Sequence, residues 1–315
     1  MSHSVFPLSL LFSALLAGQA PCAPLDRRVL AMGTELHLHL EGGKAAGASE
    51  AALAECARIE AACSTWNPDS AWSRMNAAQG RAVPLDREWI VLLGAMKAWS
   101  RRTGGAFDPV LMAMMRAWGV REGGRTPSSE AQIEARQASG EALLNLDEAA
   151  GTARLCDPRA GVEEGGFLKG HALDRMRRAS GVASGWLDFG GQILAWGKPR
   201  SVSIADPTDR RRPRLDLQLR NASLSCSGTS ERGRHLLDPR SGRPCEGWGS
   251  TAVVAADALT ADVLSTALYV LGPEAGLAWA DRHGVAAAFL LNDGGLRMTR
   301  SFRALNPTTR SLESR

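Results

Sequence analysis

The spacing of apolar positions divides the chain into early helices and late strands. "SEAALAECARIEAACSTW" (49–66) repeats apolar residues every three or four positions, which predicts an amphipathic helix with Ser49 as its N-cap. "WIVLLGAMKAWSRRTGG" (89–105) predicts a second helix, ended by Gly104 and Gly105. Ahead of both, "RRVLAMGTELHLHLEG" (27–42) alternates apolar and polar residues and reads as a strand running into a turn. Residues 121–139 are polar and rich in Gly, Ser and Glu, and read as a loop or insertion.

From "GWLDFGGQILAWG" (185–197) onward come short strands with turn signals between them: "RSVSIADP", "RLDLQLRNASLSCSG" and "STAVVAA". "TADVLSTALYVLG" (260–272) then reads as a buried helix, and "AWADRHGVAAAFLLNDGG" (278–295) as a helix end, a strand and a turn. There is no βαβ rhythm and no internal repeat. The pattern predicts an α+β fold, an antiparallel β-sheet core with flanking helices, as a single large domain over residues 25–315.

Composition adds little to that picture and excludes some partners. The chain has 315 residues, 44% hydrophobic and 22% charged, an ordinary globular balance. The net charge of +4 includes one basic run, "DRRRPR" (209–214), which lacks interleaved aromatics and reads as a solvated loop. No nucleic-acid partner is expected. The first 24 residues carry no Asp, Glu, Lys or Arg. Their apolar stretch matches a signal-peptide core ending near residue 20, so the protein is expected to be exported to the periplasm. Pro21 before Cys22 makes a poor lipoprotein box, which leaves a lipid anchor as the minor alternative.

Six cysteines in so long a chain are not a disulfide framework. Cys56 and Cys63, on one predicted helix, lie roughly 10 Å apart, too far to pair. Cys226 and Cys245 could pair across a loop. No cysteine or histidine spacing suits zinc. His37 and His39 share a strand face and read as polar positions on a half-wet sheet.

Candidate chemistry gathers in a few motifs. Asp262 and Thr266, one helical turn apart, share a face. Either Thr260 caps the helix, with Asp262 favouring the macrodipole from the first turn, or the two side chains are oxygen ligands for a hard cation such as Mg²⁺. "EEGGFLKGHALDRM" (163–176) has a Gly-Gly turn and Lys169 before a helix formed by "HALDRMRRAS"; the glycines permit close backbone approach to a ligand, and Lys169 can meet phosphate. It is not a P-loop, because the GxxxxGK[ST] spacing is missing. "RHLLDPRSGRP" places His235 beside two leucines, a partly buried ring able to move a proton near neutral pH. "GGAFDP" presents Asp108 after a glycine pair, and Trp66 in "STWNPDS" offers a flat surface for stacking on a planar ring.

The order of "AMGTELHL", "STWNPDS", "GAFDP", "GGFLKGHALD", "LDFGGQILAWG", "CSGTSE", "RHLLDPRSGRP" and "TADVLSTALYVLG" resembles the ApbE family, FAD:protein FMN transferases, from about Met32 to the end of the chain. The resemblance implies a Mg²⁺-dependent enzyme that splits FAD at its pyrophosphate. It passes FMN to a Thr or Ser of an exported flavoprotein and releases AMP; some members hydrolyse FAD instead. It implies Asp262, Thr266 and the Gly166 carbonyl as metal ligands, with Ser265 as a further candidate. Met32, Trp66, Ala106, Phe107, Asp108, Glu163, Lys169 and Leu237 match FAD-contacting positions, and His235 matches the position taken here as general base. Membrane association is expected only through the acceptor or the minor lipid anchor.

The chain departs from the family's usual residues at four places. Glu163-Glu164 replaces Asp and an apolar residue, Gly166 replaces Ala, Trp66 replaces Tyr, and Ser230 replaces the Tyr after "SGT". The Glu pair keeps open a non-catalytic flavin-binding accessory protein for a periplasmic redox enzyme. A weaker alternative is a binder of apolar ligands using Trp66 and "LMAMMRAW".

Overall fold

The computed structural model describes residues 23–228 and 236–310. The expected leader (1–20), Cys22, Ser230 and His235 lie outside the described residues.

The framework is an eight-stranded sheet of Leu25–Ala31, Thr34–Glu41, Ser184–Phe189, Ile193–Trp196, Ala222–Gly228, Gly249–Ala255, Ala286–Leu291 and Leu296–Met298. These strands neighbour one another in chain order, and every pairing is antiparallel. The helices are α1 (Ala45–Cys63), α2 (Ala71–Asn76), α3 (Arg87–Arg102), α4 (Met112–Ala117), α5 (Ser129–Gln137), α6 (Leu168–Ser180), α7 (Ala258–Leu271), α8 (Pro273–Arg282) and α9 (Arg300–Arg303). The fold is α+β, as the absent βαβ rhythm requires.

Strand alternation decides what each sheet face meets. Leu36, Leu38 and Leu40 are fully buried in a core shared with Ile59 of α1, Leu173 of α6 and Val263 of α7. On the other face Trp186, Leu224 and Ala252 meet Val202, Ile204, Leu215 and Leu217. Those four belong to a small sheet of Arg200–Ala205, Pro213–Leu219 and Thr308–Thr309. Helices thus cover one face and a second sheet part of the other. Among the described residues no helix is long and apolar enough to cross a membrane.

Several local expectations are corrected. The strand expected through residues 27–42 is a hairpin that turns at Met32 and Gly33, which both have positive φ, 47° and 72°. Ala31 pairs with Thr34, so this is a two-residue turn of the kind that matches strand twist; unbroken alternation hides it because Met is a rare occupant of that conformation. Helix α1 starts at Ala45, and Ser49 is buried within it, accepting from Arg27 Nη1 at 3.3 Å, instead of capping it. The loop expected over 121–139 contains α5, capped by Ser128, whose hydroxyl accepts from Ala131 N. Only Ala135 of α5 is buried, too little for an apolar period to show. Helix α6 begins at Leu168, so Lys169 lies in its first turn. Cys245 is a free thiol, which removes its pairing with Cys226; Cys56 and Cys63 are buried free thiols.

Candidate functional site

Helix α7 is capped by Asp257, three residues earlier than Thr260. The Asp257 side chain accepts from Thr260 N at 2.7 Å. From α6, Asp174 reaches across with both carboxylate oxygens, accepting from Ala258 N and Leu259 N at 2.9 Å each. Three donors that an α-helix leaves unsatisfied at its start are therefore already occupied. Asp262 lies beyond that first turn, so capping does not explain it.

Asp262 is 5% exposed and accepts from Gly170 N at 3.0 Å. Burial pushes its carboxyl above the ordinary Asp range, against the opposing pull of the Lys169 charge and the Gly170 N–H. Thr266 follows one turn later on the same face and meets the glycine turn. A Cβ on Gly166 would lie 3.4 Å from Thr266 Oγ1 and 3.4 Å from Phe107 Cε2. Chain segments about a hundred residues apart thus bring a carboxylate, a hydroxyl and the half-buried peptide unit of Gly166 to one place. All are oxygen donors, and the described residues contain no group of three His, Cys, Asp or Glu side chains able to hold a metal. A set with one carboxylate and neutral oxygens fits a hard cation that also binds substrate oxygens or water.

Ser265 faces elsewhere. Fully buried, its Oγ donates to Asp262 O at 3.0 Å and lies 3.1 Å and 2.8 Å from the hydroxyls of Ser225 and Ser227. That hydroxyl cluster joins α7 to the sheet.

The Glu163–Gly166 turn is held at its entrance by Asn76, whose side chain exchanges two hydrogen bonds with the Val162 backbone, at 2.9 and 2.8 Å. Glu163 accepts from Gly165 N at 2.9 Å, and burial, then the adjacent Glu164 charge, raises its pKa. Glu164 is buried and takes both donors of Thr65, the amide at 3.0 Å and the hydroxyl at 2.5 Å. The Glu pair therefore has distinct jobs: Glu164 ties the turn to the end of α1, and Glu163 braces the turn from inside.

Trp66 follows Thr65 and is 68% exposed. The Arg121 guanidinium lies over its ring, 4.2 Å from the centroid. Phe107 is buried and meets Phe167 edge-on, with centroids 6.0 Å apart, as a floor beneath Gly166. Ala106 is buried beside it. Asp108 turns into the protein, where it accepts from Ser100 Oγ (2.8 Å), Val110 N (2.8 Å) and Glu141 N (2.9 Å). Burial raises its pKa despite these three bonds. Met32 donates its amide to Glu60 Oε1 at 3.0 Å, which fixes the hairpin corner on α1. Leu237 packs with Met114 and Ala135 in a separate apolar cluster.

The structure thus gathers Phe107, Glu163, Gly166, Lys169, Asp262 and Thr266 around the same turn and helix pair, with Trp66 linked to the turn through Arg121, while Asp108 is taken up by three internal hydrogen bonds and Leu237 by packing. Sequence reasoning missed Arg121, Asp174 and Asn76. Arg121 stands between glycines in "GVREGG", a turn signal, and nothing local shows which carboxylates it meets.

Fold and site describe an α+β protein that brings a buried carboxylate, a threonine hydroxyl and a glycine turn together near an exposed aromatic ring. The ApbE family model matches residues 32–289, and the chain belongs to that family. It is 29% identical over 319 residues to the FAD:protein FMN transferase of Treponema pallidum (strain Nichols), covering 89% of this chain and 88% of that one. The FAD:protein FMN transferase of Haemophilus influenzae is 26% identical, with 90% of each covered. Among solved structures, the ApbE protein of Thermotoga maritima superposes with a TM-score of 0.84 at 26% identity, covering 90% of this chain and 99% of that one. The apo flavinyl transferase ApbE of Pseudomonas stutzeri gives 0.81 at 27%, covering 91% and 99%. The protein is a transferase.

Proposed function

We propose that this transferase moves the FMN half of FAD onto a Thr or Ser hydroxyl of an exported flavoprotein, releasing AMP. The observation that carries the reading is the meeting of Asp262 and Thr266 with the Gly166 turn, since the reaction needs oxygen ligands next to a place where backbone lets phosphate come close. Asp262, Thr266 and the Gly166 carbonyl would hold Mg²⁺, which when bound offsets the charge of the reacting phosphates.

The protein's own residues do the rest. Trp66 presents a free ring face to a planar group of the dinucleotide. Lys169 brings a cation beside Asp262. Gly165 and Gly166 let the pyrophosphate approach the main chain. The acceptor oxygen forms a new bond to the phosphorus on the riboflavin side. The P–O bond to the bridging oxygen breaks, and AMP leaves with that oxygen. His235, in this reading, takes the acceptor's proton. Export to the periplasm, where such an acceptor would be met, belongs to the same proposal and rests on the uncharged apolar N-terminus.

The test is incubation of the purified protein with FAD, Mg²⁺ and an exported flavoprotein fragment carrying an acceptor Thr. Flavin fluorescence on the denatured acceptor with matching AMP is expected, and chelation should abolish both. AMP and FMN without a labelled acceptor would replace transfer by hydrolysis. Bound FAD never cleaved would leave the accessory-protein reading, and no FAD binding would overturn all three.

A further inference from the structure

We infer that Arg121 is a positioning residue that couples the Trp66 stacking platform to the turn carrying Gly166. The inference rests on the proposed use of that turn and ring for FAD. Three chain segments meet at this guanidinium. Nη1 donates to Thr65 O at 3.1 Å and Nη2 to Thr65 Oγ1 at 2.6 Å. Nη2 also lies 3.5 Å from Glu163 Oε1 and 3.7 Å from Glu164 Oε2. The planar group covers one face of Trp66 and leaves that residue largely open to solvent.

The placement of Arg121 is itself fixed. It sits in a single 3₁₀ turn, Val120–Glu122, between Gly119 and Gly123, both left-handed at φ 61° and 89°. Gly124 N and Glu122 N both donate to Gly119 O, and Arg125 N returns to Trp118 O, closing the turn. Trp118 Nε1 donates to Gly242 O at 2.9 Å, anchoring the turn to the loop after Asp238.

Two separable roles follow from the chemistry of the side chain. Its charge stands beside two adjacent carboxylates in a largely dry place, where without a cation they repel each other and shift the turn. Its flat fork orients Thr65 and lies over the indole at 4.2 Å from the ring centroid, a combination an ammonium group cannot imitate. Arg121 Nε is buried and has no hydrogen-bond partner among the described residues, consistent with a group held for its plane and charge more than for saturated bonding.

The experiment separates these roles. Arg121→Lys keeps the charge and loses the fork and plane: KM and the dissociation constant for FAD should rise about tenfold, with kcat within about twofold of wild type. Arg121→Ala loses both, and kcat should fall as well. The readout independent of catalysis is iodide quenching of the Trp66 emission, isolated as the difference from Trp66→Phe, which should increase in both variants. Unchanged FAD affinity in Arg121→Lys, or unchanged Trp66 quenching, would overturn the inference; the lysine variant decides if the alanine variant does not fold. If wild type binds no FAD, the functional reading fails by itself, and the quenching series still decides whether Arg121 orients Trp66.

Discussion

Gly170 and Asp262 bring two helices into backbone contact: the Gly170 N–H donates to Asp262 Oδ2, and a Cβ at 170 would lie 2.4 Å from Ala258 O and 2.9 Å from Asp262 Cβ. None of these atoms is the end of a flexible side chain, so only helix displacement can make room. Gly170→Ala should cost about 1–3 kcal/mol in urea denaturation and, through Asp262, weaken the proposed Mg²⁺ binding measured by calorimetry. Gly47 in α1 has nothing within 4 Å of a built Cβ, and Gly47→Ala should instead stabilise by about 0.5–1 kcal/mol.

Asp262→Asn keeps the shape and the acceptor for Gly170 N–H and removes only the charge. Burial opposes that charge, so the variant should unfold at the same urea concentration as wild type or a higher one. AMP release should nevertheless fall by at least about a hundredfold, the scale of losing one electrostatic stabiliser. A variant that remains fully active would remove Asp262 from the proposed metal site.

Trp66 contributes exposed surface more than core, so Trp66→Ala should shift stability by no more than about 0.5 kcal/mol. KM for FAD should rise about tenfold, as expected for a lost ring stack, and Trp66→Tyr should restore most of the affinity. Steady-state kinetics with varied FAD checks both.

His171 makes stability depend on pH. Burial first, then the Arg175 charge, pushes its pKa down from the ordinary 6.5 to about 4. Between those values the unfolded chain binds a proton that the folded chain refuses, so stability falls as pH drops from 6.5 toward 4, by up to about 3 kcal/mol. Glu55, held at about 2 chiefly by its hydrogen bond with Arg58, keeps its charge in the folded state throughout. His171→Gln should flatten the slope of urea midpoint against pH over this interval.

Alternation and helical period were enough to locate the sheet and most helices, because those elements bury one face strongly. Weak burial hid α5, and the two-residue turn at Met32 and Gly33 was hidden because its residues also fit the strand pattern. In the site, the four-residue spacing of Asp262 and Thr266 and the glycines at 165 and 166 were visible locally. Their meeting was not, and neither were Asp174 at the start of α7 or Arg121 between Trp66 and the Glu pair. Ser265, next to Thr266 and three residues after Asp262, could not be assigned a direction until Ser225 and Ser227 appeared beneath it.

By itself the sequence determined which faces must be buried and which backbone positions could turn, since side-chain hydrophobicity and glycine's freedom act over a few residues. Tertiary structure alone decided which polar groups share a site. That choice depends on packing α6 against α7 and on one cation reaching carboxylates and a ring from a distant turn, interactions whose energies arise only once the chain has closed those long loops.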